Sequence, residues 1–372
     1  MSGEPDVGGS AHPFGATRVV DDPAEITPAW MTDVLRAGGS DVEVTGLRYE
    51  PVGTGQTAVS YRFHLDLKPG QTSRGPRSVV VKMAAGSTDV RRRLRRAYRS
   101  EVGFYVAFAS RALIRVPHCW SAALSEDRLR FTLVLEDVRP ARAGRQVEGC
   151  TLAEATLAVE NLAGLHAPFW NETDLAAQAD WLIELDDAGL AILGKTAVAA
   201  AADFTARYHA DLGPRDVGVL RRAAELVAGW GNRMSSHRSL VHGDYRLDNL
   251  LFLGDGEQRT VDWQTVEVGL PGRDLAYFLS TALAPADRRS HEAGLVAAYH
   301  RRLLAHGVTG YSADDCFEDY RCGMLQGPVI TMIGCVFASA PRTASSDRMF
   351  LSMAANVSAA IDELGVLDLL AA

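Results

Sequence analysis

The sequence predicts an α+β protein of two lobes: a small, strand-rich lobe with one main helix, then a larger, mostly helical lobe. Three observations carry this. Period-2 apolar alternation fills residues 42–83, whereas helical periodicity dominates from residue 151 onward. A chain of 372 residues is too long for one small domain and comfortable for two, at roughly 100–200 residues per domain. The charge is also divided. Residues 1–149 hold 21 Lys and Arg against 17 Asp and Glu, and residues 150–372 hold 17 against 29.

Composition narrows the class further. Hydrophobic residues at 47% and charged residues at 23% are ordinary globular values, enough for a large core and too apolar for long disorder. A formal net charge of −8 argues against nucleic acid or an anionic membrane as a general partner. The five cysteines are odd in number and form no C-x-x-C pair, so neither a disulfide framework nor a zinc site is expected, and a reducing cytoplasm suits them. No secretory leader is expected in the Gly- and Asp-bearing start. The most apolar stretch, Val329–Ala340, is far shorter than the ~20 residues that span a bilayer. A soluble, cytoplasmic protein without membrane insertion is the expectation; the sequence says nothing of oligomeric state.

Taken in order, residues 1–26 read as a flexible start leading to a helix that Thr27-Pro28 caps and Gly38-Gly39 ends. Three strands are expected at Val42–Tyr49, Ala58–Leu67 and Ser78–Met83, with Lys68–Pro76 turning between the last two. A helix follows over 88–109, then strands near 118–124 and 129–137 joined by Ser125-Glu126-Asp127. This completes a first-lobe candidate over 27–138, ending in a connection at about 134–138; residues 139–372 form the second lobe. That lobe opens with an Arg- and Gly-rich loop (139–149) and a capping box, Thr151-Leu-Ala-Glu154, starting a helix to about His166. Helices are expected at roughly 190–209, 215–233, 286–306, 314–338 and 346–364, with a β-rich insert at Ser239–Trp263.

The chemistry concentrates in that insert. Val241-His-Gly-Asp244-Tyr-Arg-Leu-Asp-Asn249-Leu-Leu-Phe252 is a loop entering an apolar strand. Asp244 offers a carboxylate where a substrate proton can be met, and Asn249 offers a carbonyl oxygen to a hard cation. Thirteen residues on, Thr260-Val-Asp262-Trp-Gln ends a second short strand with another carboxylate. Two oxygen donors on neighbouring strands suit Mg²⁺ carried by a nucleotide, although Asp, Asn and Gly also cap strands for purely structural reasons.

The pattern resembles the catalytic loop of the aminoglycoside phosphotransferase and choline kinase superfamily, the small-molecule branch of the protein-kinase-like fold, and the resemblance spans about residues 40–340 in the right order. It implies a bilobal protein-kinase-like fold and a small-molecule O-phosphotransferase that uses ATP and Mg²⁺. Asp244 inherits the role of orienting and deprotonating the acceptor hydroxyl. Asn249 and Asp262 inherit the metal, and Asp274 of Gly272-Arg-Asp-Leu-Ala276 inherits the bracing of the loop. His166, in Leu165-His-Ala-Pro-Phe-Trp170, fits a helix-end signature of the family and is expected to pack and hydrogen-bond.

The first lobe offers an independent check. Lys82 ends a Val-Val-Val strand, and Leu94, Tyr98, Glu101, Tyr105 and Phe108 fall on one stripe of the next helix. A carboxylate on an apolar stripe needs a partner. Lys82, nineteen residues upstream, is the natural one, matching the kinase pair whose lysine grips the α- and β-phosphates. Between the first two strands, Pro51-Val-Gly53-Thr-Gly55-Gln-Thr57-Ala58-Val-Ser60 sits where a phosphate-covering loop belongs. It lacks a third glycine, so Gly53, Gly55, Thr57 and Ser60 are phosphate donors only if an ordinary hairpin turn is not their whole purpose. Leu133-Val-Leu-Glu136-Asp137-Val138 is the expected hinge, with the carbonyl of Glu136 and the amide of Val138 as adenine partners by analogy.

Arg91, Arg92, Arg93, Arg95, Arg96 and Arg99 form a solvated helix face in preference to an anion site. The rival functions are a catalytically silent pseudokinase and a protein kinase; the intact Lys82, Glu101, Asp244, Asn249 and Asp262 oppose the first, and the absence of DFG and A-P-E opposes the second. The acceptor is a small hydroxylated molecule. An aminoglycoside suits the acidic second lobe. A lipid-like or polyketide-like acceptor suits Trp170, Trp181, Trp230 and Trp263 as pocket walls, and suits the likeness of the Leu-Glu-Asp and Asp-Trp-Gln segments to the ecdysteroid-kinase-like and hydroxyacyl-CoA-kinase-like branches.

Overall fold

The structure, a computed structural model, describes residues 18–53, 58–70, 75–233, 237–254, 256–337 and 342–371. The flexible start expected at 1–26 therefore falls largely outside the described residues, as do Gly55 and Thr57. The α+β class expected from the sequence is observed. The chain divides into two compact units, Met1–Ser110 with His118–Asp137, and Arg111–Pro117 with Val138–Ala372.

In the first unit, α1 (Pro28–Ala37) begins as its sequence requires: the Thr27 hydroxyl accepts from the Trp30 amide, and the backbone turns left-handed at Gly39 (φ 94°). A five-stranded antiparallel sheet follows, built from β1 (Val44–Val52), β2 (Ala58–Leu67), β3 (Ser78–Ala84), β4 (Cys119–Leu124) and β5 (Phe131–Glu136) in the order β1-β2-β3-β5-β4. Alternation sets the faces. Val79, Val81 and Met83 of central β3 enter a core with Phe63, Leu65 and, from α1, Met31, Val34 and Leu35. Val80 and Lys82 alternate to the opposite face, with Lys82 between Ser60 of β2 and Leu133 of β5 in register.

The helix expected over 88–109 is α2 (Thr88–Gly103), continued by a π-helical turn at Phe104–Phe108 in which the Ala109 amide bonds the Phe104 carbonyl. Of the predicted stripe, Tyr98, Glu101, Tyr105 and Phe108 are buried and Leu94 is half-buried. Arg92, Arg93, Arg95 and Arg96 are exposed, as expected of a solvated face, while Arg91 bonds Asp21 and the carbonyls of Ala84 and Gly86.

The second unit takes one piece of the earlier chain, Arg111–Pro117, which the sequence reading kept in the first lobe. Hydrogen bonds explain the change: the Leu113 amide bonds Gly164, the Arg115 amide bonds Asn161 Oδ1, and the Arg115 carbonyl accepts from Thr260. The Arg- and Gly-rich loop contains a strand, β6 (Ala141–Ala143), and the capping box of α3 (Leu152–His166) forms with both its hydrogen bonds. Next come α4 (Asp187–Arg207) and α5 (Pro214–Leu226). By length and composition α4 would suffice to cross a membrane; its Leu190, Ala197, Ala200, Ala201 and Phe204 are instead buried against α5 and neighbouring segments of the unit.

The expected β-rich insert supplies β7 (Ser239–Val241), β8 (Leu250–Leu253) and β9 (Gln258–Thr260), and β10 (Glu267–Gly269) pairs with β7. Helix α6 (Gly272–Ala282) was not expected. All eleven of its residues are buried, so it has no polar face and no 3.6-residue period to read. It is followed by α7 (Pro285–Ala305) and α8 (Ala313–Cys322). The single helix expected over 314–338 breaks after α8 and resumes as α9 (Gln326–Val336). At the break, a Cβ on Gly323 would lie 2.3 Å from the Gly272 carbonyl oxygen; the backbones of α6 and this turn touch where no side chain fits. Helices α10 (Ala344–Glu363) and α11 (Val366–Ala371) end the chain.

Candidate active site

In the first unit, Lys82 Nζ donates to Glu101 Oε1 at 2.6 Å, with side-chain exposures of 14% and 4%. The strand supplies the ammonium, the α2 stripe supplies the carboxylate, and burial makes the pair mutually necessary. Gly53 ends β1 with φ 75°, a left-handed turn, and Ser60 lies on β2 directly across from Lys82. Glu136 closes β5, where its amide donates to the His118 carbonyl and its carboxylate accepts from the His118 amide. A residue not singled out from sequence, Asp137, ties this strand end down: its Oδ2 accepts from Ser78 Oγ at 2.6 Å and from Arg62 Nε at 2.9 Å. Val138 is the first residue of the second unit's main segment.

In the second unit, β7 delivers the His242-Gly-Asp244 turn. Gly243 has φ 80°, and a Cβ there would stand 2.6 Å from the Thr265 carbonyl oxygen, so the position requires glycine. Asp274, at the start of α6, accepts the His242 amide at 2.6 Å on Oδ2 and the Gly243 amide at 2.9 Å on Oδ1, and His166 Nε2 meets Oδ2 at 3.3 Å. Complete burial pushes the Asp274 carboxyl up, but the His166 hydrogen bond, the electrostatic influence of the two neighbouring imidazoles and the His242 amide bond outweigh it, leaving it below the usual carboxylate range. The Tyr299 hydroxyl lies 2.6 Å from His166 Nδ1, completing a buried chain behind the loop. His242 itself accepts the Asp244 amide on Nδ1, donates from Nε2 to the Val261 carbonyl, and packs on Trp263 at 4.7 Å.

Asp244 is half-buried, and its carboxylate is held from both sides. Oδ1 accepts from the Tyr277 hydroxyl at 3.0 Å and lies 3.4 Å from Arg246 Nε, and Oδ2 accepts from Asn249 Nδ2 at 3.2 Å. Asn249 Nδ2 also donates to the Asp244 carbonyl at 2.8 Å. With its amide nitrogen so engaged, the Oδ1 of Asn249 carries no hydrogen bond among the described residues. The Asn249 carbonyl accepts from the Val261 amide, which joins this loop to Asp262, a residue in the left-handed region at φ 72°. Gln264 Nε2 approaches Asp262 Oδ2 at 3.4 Å.

These donors fit a magnesium ion. Mg²⁺ is bound through one or two protein oxygens with phosphates and water completing six. The neutral oxygen of Asn249 and the carboxylate of Asp262 are such a set. Among the described residues no group of three or more His, Cys, Asp or Glu forms a metal cage.

Several contributors were not foreseen. Tyr277 is buried on α6, the helix whose period is invisible. Arg246 lies among carboxylates, bonding Asp248 at 2.6 Å; burial pushes its pKa down, but Asp244, Tyr277, Asp248 and Asp262 push it up by more. Gln146 accepts the Leu247 amide and donates to Thr281 O, while Gln326 Nε2 donates to the Gly243 carbonyl at 2.6 Å. Gln326 stands alone in an apolar run, a signal that could have found it; Gln146, in the Arg- and Gly-rich loop, offered none. Of the tryptophans that could wall an acceptor pocket, Trp181 is buried. Trp230 is buried beneath Arg273 with its indole on the Cys322 carbonyl, Trp263 is buried against His242, and Trp170 stacks on His237 and Tyr311. Trp230 and Trp263 are core, and Trp170 is half-buried.

Comparison with known proteins gives three results. Residues 176–308 match the model of the ecdysteroid kinase-like family. No curated sequence matches the chain. Similar solved structures include a macrolide 2′-phosphotransferase from Brachybacterium faecium (16% identity, 88% of this chain and 97% of that chain covered, TM-score 0.47). They also include a Plasmodium vivax ethanolamine kinase (12% identity, 84% and 83% covered, TM-score 0.49) and a spectinomycin phosphotransferase (10% identity, 90% and 99% covered, TM-score 0.47). The resemblance to the aminoglycoside phosphotransferase and choline kinase superfamily is thus met by an ecdysteroid kinase-like family match over the segment that holds His242, Asp244, Asn249, Asp262 and Asp274.

Proposed function

We propose that this chain is an ATP- and Mg²⁺-dependent phosphotransferase that moves the γ-phosphate to a hydroxyl of a small organic molecule. One observation supports this most: a half-buried carboxylate, Asp244, held by Tyr277 and Asn249 on a loop whose amides Asp274 clamps, beside an Asn249 oxygen left without a partner. A turn built only to cap a strand has no use for such restraint.

In this reading the acceptor hydroxyl gives its proton to Asp244 as its oxygen bonds to the γ-phosphorus and the bond to the bridging oxygen of ADP breaks. Positioning and charge neutralisation carry such transfers. The Tyr277 and Asn249 hydrogen bonds fix the direction in which Asp244 presents its lone pair, and Arg246 Nε, 3.4 Å from Oδ1, flanks the same carboxylate. Asn249 and Asp262 would hold Mg²⁺, which when bound would neutralise phosphate charge. Lys82 grips the α- and β-phosphates and Glu101 aims it. Gly53 offers its amide to phosphate, the same role is assigned to Gly55 and Thr57 from the sequence alone, and Glu136 and Val138 offer backbone groups to adenine.

The family match supports a hydroxylated, lipid-like acceptor over a polycationic aminoglycoside, and a cytoplasmic site of action follows from the use of ATP. The test is release of ADP from ATP·Mg²⁺ in the presence of a panel of sterol, polyketide and aminoglycoside alcohols, with phosphorus NMR of the product. A phosphate ester formed only with hydroxylated acceptors is expected. ATP binding with no transfer to any of them would mark a nucleotide-binding scaffold.

A further inference from the structure

A cavity of about 160 Å³ lies behind the catalytic loop, within the second unit. Its apolar wall is Leu185, Leu190, Gly231, Val268 and Leu270, and its charged lining is Glu184, Arg238 and Arg273. Arg273 is the unusual member, being only 5% exposed. Its guanidinium is fixed on three sides: Nε and Nη2 donate to Gln326 Oε1 at 3.0 and 2.8 Å, Nη2 pairs with Glu267 Oε1 at 2.7 Å, and the group lies 5.2 Å over the Trp230 ring. The remaining nitrogen, Nη1, donates no hydrogen bond among the described residues. It lies over Gly269, where a Cβ would come within 2.7 Å of it. The glycine leaves room for two N–H donors at the wall of the cavity.

We propose that this cavity is a binding site for a small organic carboxylate with a short apolar body. Buried guanidinium groups are normally hydrogen-bonded through all their donors, and a carboxylate oxygen is a strong, charge-assisted acceptor for the N–H groups of Nη1. Each guanidinium of the lining already has a carboxylate partner, Arg273 with Glu267 and Arg238 with Glu184, so the acceptor is selected by the N–H donors of Arg273 Nη1 and not by net charge. Arg238 is anchored at the rim by Glu184 at 2.8 Å and by the Thr173 carbonyl. The volume is that of about five water molecules, which limits the apolar body to a short branched or cyclic chain. The site is joined to the catalytic loop by one side chain, because Gln326 accepts from Arg273 and donates to the Gly243 carbonyl. The proposal does not depend on phosphotransfer and is tested without it.

The experiment titrates the full chain with isovalerate, isovaleramide and inorganic phosphate, following melting temperature and ligand-observed NMR. Two variants accompany it. Leu185→Trp fills the cavity from a half-buried position without touching an ion pair, and Arg273→Lys keeps the charge but removes the fork. Isovalerate is expected to saturate in the millimolar range and raise Tm by about 5 °C at one hundred times Kd. Isovaleramide is expected to bind at least tenfold more weakly, Leu185→Trp to abolish binding, and Arg273→Lys to weaken it tenfold or more. Absence of saturable isovalerate binding to the wild type would overturn the proposal. Equal binding of the amide, unchanged affinity in Leu185→Trp, or binding of phosphate in place of carboxylates would do the same.

Discussion

Replacing Lys82 by Met separates a nucleotide-gripping lysine from a structural one. The pair it breaks is 2.6 Å long, and Glu101, at 4% side-chain exposure, is the more deeply buried partner. Removing one member of such a pair costs about 3–5 kcal/mol. A cost of ~3 kcal/mol lowers Tm on the order of 6 °C in a chain of this size. Glu101→Gln costs less, about 1–2 kcal/mol, because Lys82 is the more exposed partner and its stem lets the ammonium reach water. If Lys82 also binds phosphate, Lys82→Met loses charge-assisted hydrogen bonds worth about 1.5–3 kcal/mol, which is ATP affinity reduced by roughly 10- to 150-fold. Glu101→Gln keeps the ammonium and shows a smaller loss of affinity. Thermal unfolding and calorimetric titration with ATP·Mg²⁺ on both variants give the two quantities separately. Destabilised Lys82→Met protein that binds ATP with wild-type affinity would refute the assignment and leave the pair a structural one.

Two further outcomes follow from the same geometry. Asp262→Ala is expected to abolish Mg²⁺-dependent ATP affinity and Asn249→Ala to weaken it less, since a carboxylate contributes more to a hard cation than a neutral amide oxygen; calorimetry with and without Mg²⁺ decides, and unchanged binding in Asp262→Ala moves the metal elsewhere. His237 bonds Asp319 at 2.8 Å, and that bond holds its pKa above the ordinary histidine value against the opposing effect of burial. A raised folded pKa contributes stability that is complete below about pH 6.5 and disappears as pH rises through the higher folded value, so Tm of the wild type should fall over that interval and His237→Gln should lose the slope.

The strands and most helices were legible because each buries one face and shows the other to water: Val79, Val81 and Met83 alternate with Val80 and Lys82 in β3, and Tyr98, Glu101 and Tyr105 share a stripe in α2 and the turn that follows it. What stayed hidden was buried on every side. Helix α6 carries Asp274 and Tyr277, yet has no polar face from which a period could be read. The break between α8 and α9 was equally invisible, because it depends on the contact of Gly323 with Gly272, distant in sequence. The loop motif gave the positions of Asp244, Asn249 and Asp262 directly. Their support by Gln146, Tyr277 and Gln326 arises from long-range hydrogen bonds that no local pattern announces: Gln326 is a lone polar residue in an apolar run, Tyr277 sits on the fully buried α6, and Gln146 lies in the Arg- and Gly-rich loop. The tryptophans were ambiguous for the opposite reason: a large ring reads equally well as pocket wall or core, and Trp230 and Trp263 are buried.

The central claim is that Asp244 is the base of a phosphotransfer, and Asp244→Asn tests it most directly. The amide keeps the size of the side chain and an oxygen able to accept from Tyr277, so folding and ATP·Mg²⁺ affinity should stay within a few-fold of wild type. The proton acceptor is lost, and turnover with a hydroxylated acceptor should fall by about 10²–10⁴. Measured turnover reduced to that extent with nucleotide affinity intact is the predicted result; turnover near wild type in Asp244→Asn would contradict the account.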